Sequence, residues 1–158
     1  MSNNTSLDVF EYTGRGQTIP KDVVSVRFHQ SVVEVEEKAF EDCKQLKEVI
    51  LNDGLREIGE EAFHHCESLQ SIAIPSTVKE IDVGAFYGCT ELRKVVFNEG
   101  LQKIGRAAFA FCYSLECTLP STVTEIDSFA FHDCRSLREI VLKEGRIDMI
   151  GEHAFRNK

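Results

Sequence analysis

The sequence has no tryptophan, only 3 prolines, and no apolar run approaching the roughly 18 residues that span a bilayer as a helix. Membrane insertion is therefore not expected. Basic residues are also scarce: 18 Lys plus Arg stand against 26 Asp plus Glu, a formal charge of -8. Nucleic acid and anionic membranes both need a basic footprint, so neither is expected as the main partner. The segment Met1 to Gln17 is polar and has neither a basic start nor an apolar centre, so no secretory signal is visible. Without one, a cytoplasmic location with free thiols in a reducing compartment is the expectation. The cysteines include no Cys-x-x-Cys motif. Against these gaps, apolar residues make up 42% of the chain and charged ones 28%, enough for a core and against extended disorder. Phenylalanine is abundant, with 11 in 158 residues.

The phenylalanines fall on a period. Ala-Phe occurs at Ala39-Phe40, Ala62-Phe63, Ala85-Phe86, Ala108-Phe109, Ala130-Phe131 and Ala154-Phe155, with steps of 23, 23, 23, 22 and 24 residues. Three residues after each of the first five comes a cysteine: Cys43, Cys66, Cys89, Cys112 and Cys134. Three further on comes Leu46, Leu69, Leu92, Leu115 or Leu137. The following turn alternates between Asn52-Asp53-Gly54 or Asn98-Glu99-Gly100 and Pro75-Ser76-Thr77 or Pro120-Ser121-Thr122. Ile58-Gly59, Ile104-Gly105 and Ile150-Gly151 likewise alternate with Ile81-Asp82 and Ile126-Asp127, so the larger unit is a pair of coils, 46 residues. One residue is missing near Glu116-Cys117 and one is extra near Arg146-Ile147. Val24 to Phe40 forms a degenerate first coil.

A unit of this size cannot bury its own apolar face, but stacked copies bury a continuous ladder. The fold class is therefore a repeat solenoid. Leu46, Val49 and Leu51 and their equivalents predict a short strand, with neighbouring coils ~4.8 Å apart. Leu55 and Ile58 predict a second inward ledge, and six phenylalanines in one column a spine. The turn glycine is expected to supply a positive φ. Residues 1–19 are assigned as a tail and cap, with Phe10, Tyr12 and Ile19 packing over the first coil. Residues 20–158 are assigned as the repeat domain, five to six coils without a C-terminal cap.

The pattern A-F-x-x-C-x-x-L-x-x-[VI]-x-[IL]-P-x-x-V-x-x-I is best seen from Ala62-Phe63 through Cys66, Leu69, Ile72, Ile74, Pro75, Val78 and Ile81. It resembles the BspA-like leucine-rich repeat family, over about Val24 to Phe155. The resemblance implies a right-handed leucine-rich-repeat superhelix with a parallel β-sheet on the concave face and little helix. It also implies adhesion or protein binding and no catalytic residues; the family occurs in bacterial surface proteins and in protist and algal proteins. The short strand at Glu116 to Leu119 departs from the pattern, and strand pairing is open there.

The cysteine column reads as small buried residues in a ladder, in preference to inter-coil disulfides, because side chains in a ladder run parallel. Cys117 is off that column and is the expected exposed thiol. His64-His65-Cys66 and His132-x-Cys134 resemble metal ligands, but three coils put the clusters roughly 14 Å apart at strand spacing, too far for one ion. His64 and His65 occupy a column that varies freely and is expected to face solvent. The carboxylates sit beside Lys and Arg as on a solvated face. No enzyme activity, cofactor or metal is expected.

Protein recognition through the outward positions of the strands is the expected function. One column is Lys47, Gln70, Arg93, Glu116 and Arg138; the next is Glu48, Ser71, Lys94, Cys117 and Glu139. The third is Ile50, Ala73, Val96, Thr118 and Val141, an apolar strip with a charged rim. The alternative is a structural or adhesive segment of a longer surface or scaffold protein. The array also stops just after Phe155 with no polar cap written, which predicts end-to-end self-association unless more coils follow.

Overall fold

The computed structural model describes residues 9–137, 141–142 and 146–157. Its strands, in chain order, are β1 (Phe10–Tyr12), β2 (Ser25–Phe28), β3 (Glu34–Val35), β4 (Glu48–Ile50), β5 (Glu57–Ile58), β6 (Ser71–Ile74), β7 (Glu80–Ile81), β8 (Lys94–Phe97), β9 (Lys103–Ile104), β10 (Thr118–Leu119), β11 (Glu125–Ile126), β12 (Val141–Leu142) and β13 (Met149–Ile150). The described residues contain no helix. Each coil contributes one strand to each of two parallel faces. The longer strands form the sheet β1-β2-β4-β6-β8, which a bridge from Lys94 to Glu116 carries on to the pair β10-β12. The two-residue strands form a second sheet, β13-β11-β9-β7-β5-β3. This is the expected β-solenoid of ~23-residue coils, and the second ledge is present as well.

Valine and isoleucine hold these short strands because their branched side chains suit a pleated, half-buried surface. Val35, Ile58, Ile81, Ile104 and Ile126 lie in register and are fully buried. Between the sheets runs the spine. Phe40, Phe63, Phe86, Phe109, Phe131 and Phe155 stack with centroids 5.1–5.4 Å apart and planes within 9°. Offset stacking at that spacing suits the ring quadrupole and fills the middle of every coil.

A third inter-coil ladder passes through the Phe turn, and no motif in the sequence announces it. The amides of Lys38, Phe40 and Asp42 donate to the carbonyls of Glu60, Ala62 and His64 in the next coil, at 2.8–3.0 Å. The same set of three repeats from coil to coil, as far as Phe129, Phe131 and Asp133 donating to Glu152, Ala154 and Arg156. The residues between them bond back three positions within their own coil, as Ala39 does to Glu36. This alternation requires a left-handed residue two before and two after each Phe. Lys38, Asp42, Glu61, His65, Ala107, Phe111, Phe129, Asp133 and His153 all have φ of 53–61°. Only Gly84 and Gly88, in one coil, mark these positions with the residue type that tolerates them freely. Elsewhere each costs roughly 1–2 kcal/mol, which the inter-coil bonds and the buried spine offset.

The two-coil period has two causes. Thr77 donates its hydroxyl to the carbonyls of Asp53 and Leu55 in the coil before it, and Thr122 donates to Leu101 at 2.6 Å. In the other coil type, Asn52 donates to the carbonyls of His29 and Val32, and Asn98 to Ile74. The second cause is space: a Cβ on Gly59 or Gly105 would lie 2.8 Å from the carbonyl oxygen of Val35 or Ile81. Coils with Asp82 and Asp127 instead turn that carboxylate onto the next amide, at 2.6 Å. The turn glycines differ from expectation. Gly100 has φ of 134°, but Gly54 is not left-handed, because the Asn52 side chain accepts its amide at 2.7 Å and shapes that turn.

The first coil is closed from outside. Tyr12 is buried, with its ring 4.8 Å from Phe28 and 5.1 Å from Phe40. Gln17 satisfies the free edge of β1 by accepting the amide of Thr13 at 2.7 Å and donating to the carbonyl of Glu11 at 2.9 Å. Lys21 donates to the carbonyl of Glu41, and Arg15 pairs with Glu36 at 2.7 Å.

Candidate functional site

The outward positions of the longer-strand sheet are set by strand alternation. Lys47, Glu48, Ile50, Gln70, Ser71, Ala73, Arg93, Lys94, Val96 and Glu116 are all exposed. Ile50 and Val96 keep 40% of their surface, so the apolar strip is surface and not core. Arg27 pairs with Ile50 and heads the strip. Thr118 follows in the strip column, and its backbone pairs with Val141 of β12. Arg138 and Glu139 lie outside the described residues.

The register corrects one assignment. Lys94 pairs with Glu116, so Glu116 belongs with Glu48, Ser71 and Lys94, not with Lys47, Gln70 and Arg93. The missing residue is absorbed between Leu115 and Glu116, where the chain passes straight from the buried leucine to the second outward column. Cys117 thereby moves from an outward column to an inward one beside the core. It is half-buried, still the least buried of the 6 cysteines, and desolvation pushes its thiol up to about 12.

Charges on this sheet differ from those elsewhere. On the other faces, ion pairs join residues one coil apart: Lys38 to Glu61 at 3.3 Å, Lys44 to Glu67 at 2.9 Å and Lys103 to Glu80 at 2.8 Å. Among the described residues, Lys47, Arg93, Lys94 and Glu116 have no ion-pair partner. Glu48 accepts from the Ser25 hydroxyl, at 3.2 Å. The face thus presents uncommitted charge along one side of an apolar strip, on the residues that precede it in each strand.

The cysteine column has its own chemistry. Four of its five thiols point to the carbonyl of the Phe in the preceding coil: Cys66 to Phe40 and Cys89 to Phe63 at 3.2 Å, Cys112 to Phe86 at 3.1 Å and Cys134 to Phe109 at 3.0 Å; Cys43 faces the Pro20 carbonyl at 4.0 Å. A thiol is small enough for the stack and still donates, if weakly. Burial raises the pKa of Cys43, Cys66, Cys89 and Cys112, and takes Cys134 to about 12. A thiol reagent at pH 8 is therefore expected to label the folded chain slowly, with Cys117 first, and to label all 6 at once in denaturant. Rapid labelling of several cysteines without denaturant would show that the column opens.

His64 and His65 are not a freely solvated column. They are half-buried and begin a ridge of rings. His64 stacks on Tyr87 at 4.9 Å, Tyr87 meets Phe111 at 5.1 Å, Phe111 meets His132 at 5.4 Å, and Phe129 links His132 to His153. Burial, then the neighbouring His65, lowers the pKa of His64. Gly88 makes room for the ridge, since a Cβ there would lie 2.5 Å from Nδ1 of His65. The sequence signal was present as ring-bearing residues one or two places after Phe63, Phe86, Phe109 and Phe131, but it varies in residue type and is missing after Phe40, where Glu41-Asp42 stand.

A stacked parallel solenoid of this kind, with an exposed sheet and a packed spine, is a repeat-protein scaffold. The description "BspA type Leucine rich repeat region" fits it in 6 copies, over residues 21–118 and 116–158, and the chain belongs to that family. No curated protein matches the chain significantly. Among solved structures it is similar to a leucine-rich cell surface protein of Faecalibacterium prausnitzii, with 36% identity and a TM-score of 0.74 over 84% of this chain and 36% of that one. It is also similar to a leucine-rich repeat protein of Bacteroides ovatus, with 28% identity and a TM-score of 0.63 over 90% of this chain and 36% of that one. The chain thus spans about a third of the length of each. The cytoplasmic expectation gains no support from them, since the first is described as a cell surface protein. Among the described residues no helix is long and apolar enough to cross a membrane.

Proposed function

We propose that the chain recognises a protein partner through the outward face of its longer-strand sheet, without catalysis. The observation that carries this reading is the exposed strip Ile50, Ala73, Val96, bordered on one side by Lys47, Arg93, Lys94 and Glu116, which have no ion-pair partner among the described residues. Interface centres are apolar with a polar rim, and uncommitted charges steer and select a partner. The likeness to a cell surface protein favours exposure to an extracellular partner. The second reading, a structural or adhesive array segment, is favoured by the short span of the neighbours that this chain covers.

The test pairs Ala73→Glu with Val96→Glu. A partner captured by the wild-type chain and then purified is expected to bind the double variant at least about tenfold more weakly, a loss of ~1.4 kcal/mol, with unchanged circular dichroism. Lys79→Glu, away from this face, is expected to bind as wild type. Equal binding by all three defeats the sheet-face reading and leaves the array reading.

A further inference from the structure

The outward side of β6 is a trough in the longer-strand sheet. Its outward residues, Ser71 and Ala73, are small, and Gln70 just before them is uncharged. The strands on either side carry larger groups, Glu48 and Ile50 in β4 and Lys94 and Val96 in β8. Register sets the walls: Ser71 pairs with Glu48 and with Lys94, and Ala73 pairs with Val96. Ile50 stands two residues on from Glu48, so it is opposite Ala73 on the other side. The trough thus has an aliphatic end over Ala73 and a polar end over Ser71. Cations gather at the polar end. The Gln70 amide donates to the Lys47 carbonyl and the Arg93 amide to the Gln70 carbonyl, which places Lys47 and Arg93 on either side of Gln70. With Lys94 they make three cations around Ser71, on a chain of formal charge -8. None of the three has an ion-pair partner among the described residues. The carboxylates nearby are drawn off: Glu48 leans to Ser25 of the coil before, at 3.2 Å, and Glu67 pairs with Lys44 at 2.9 Å. Glu116 lies one coil beyond Lys94, and Glu91 lies two residues before Arg93, across the buried Leu92.

We propose that this trough seats an extended acidic segment of the protein partner, with a carboxylate side chain over Ser71 and an apolar side chain two residues away over Ala73. This rests on the sheet-face reading and names the chemistry of its partner. Spacing supports the pattern acid-x-apolar. Side chains two apart in an extended chain lie on one face, about 6.6 Å from each other. Ser71 and Ala73 are themselves two apart in a strand, so a segment laid along β6 meets both. Charge selects the acid. The Arg93 guanidinium offers a planar fork that suits a carboxylate, and Lys47 and Lys94 add point charges beside it. A basic segment would meet three like charges there. A polyanionic polysaccharide carries charge along its whole length, whereas the trough is cationic at one end and aliphatic at the other, which favours a protein segment.

Panning a display library of random peptides against the 158-residue chain tests this. The enriched peptides are expected to share an acid followed two places on by an apolar residue. One of them, synthesised with blocked ends, is expected to bind the Arg93→Glu, Lys94→Glu double variant at least about tenfold more weakly, and to bind wild type less as salt rises. Both side chains are exposed, so circular dichroism should not change. The same peptide with lysine in place of its acid is expected to prefer the charge-reversed variant, which a misfolded variant could not do. Enrichment of basic peptides, no enrichment above a bare surface, or equal binding by the double variant overturns the proposal. Retention of the chain on immobilised polygalacturonate, lost with the same two substitutions, would give the cations to a polysaccharide and overturn it as well. Uncharged peptides that bind wild type and are lost with Ala73→Glu and Val96→Glu would defeat the acidic segment alone and leave the sheet-face reading standing.

Discussion

Replacing Phe86 with alanine is expected to lower stability by about 3–5 kcal/mol, the range for truncating a buried aromatic side chain. Phe86 is fully buried and stacks on Phe63 at 5.2 Å and on Phe109 at 5.2 Å, so its loss opens both coil junctions at once. The side chain has no flexible neighbour to fill the gap, because the flanking rings are locked within 6° of parallel. In a solenoid, stability is close to a sum over neighbouring coils, so a break in the middle costs more than one at an end. At about 2–4 °C per kcal/mol for a chain of this size, the midpoint of thermal unfolding should fall on the order of 10 °C. Phe155→Ala, at the half-buried end, should cost much less. A loss under about 1 kcal/mol at Phe86 would show that the spine collapses around the hole, contrary to its packing.

The second large effect runs against a usual rule. Gly105 has no left-handed φ, and at such sites alanine ordinarily stabilises by about 0.4–1 kcal/mol. Here the added Cβ would lie 2.8 Å from the Ile81 carbonyl oxygen, 3.0 Å from the Asp82 carbonyl carbon and 3.1 Å from the Val83 amide. All three are backbone of the preceding coil, which cannot swing aside as a side chain would. Gly105→Ala is expected to cost about 1–3 kcal/mol through forced separation of the two coils. Urea unfolding measures it, and a variant as stable as wild type would mean that the junction has slack.

The columns of Phe, Cys and Leu were legible because each demands one residue type in every coil, and period alone exposes them. The left-handed turns were not. Their requirement falls on the backbone, and Lys38, Glu61, Ala107 and Phe129 meet it without a residue type in common. The shift of Glu116 was hidden for a related reason. A deletion between Leu115 and Glu116 leaves the local sequence equally polar in either register, and only pairing with Lys94 decides it. The outward strand columns could be written down from alternation alone, yet their uncommitted charges needed the positions of the ion pairs on the other faces. Thiol donation to the Phe carbonyls left no trace beyond the column itself. The capped head was legible in Tyr12 but not in Gln17, whose part depends on where a loop returns.

The amide ladder through the Phe turns has an electrical consequence. In a sheet, successive amides point opposite ways and their dipoles nearly cancel. Here the inter-coil amides of Lys38, Phe40 and Asp42, and of every set after them, all point toward the tail. Their moments add along the stack, as they do along a helix, where the sum amounts to roughly half an elementary charge at each end. The solenoid therefore has a negative pole at the head, where Lys21 sits on the Glu41 carbonyl, and a positive pole at the tail, where the amides of His153 and Phe155 end the series. Glu152 supplies counter-charge beside that positive pole.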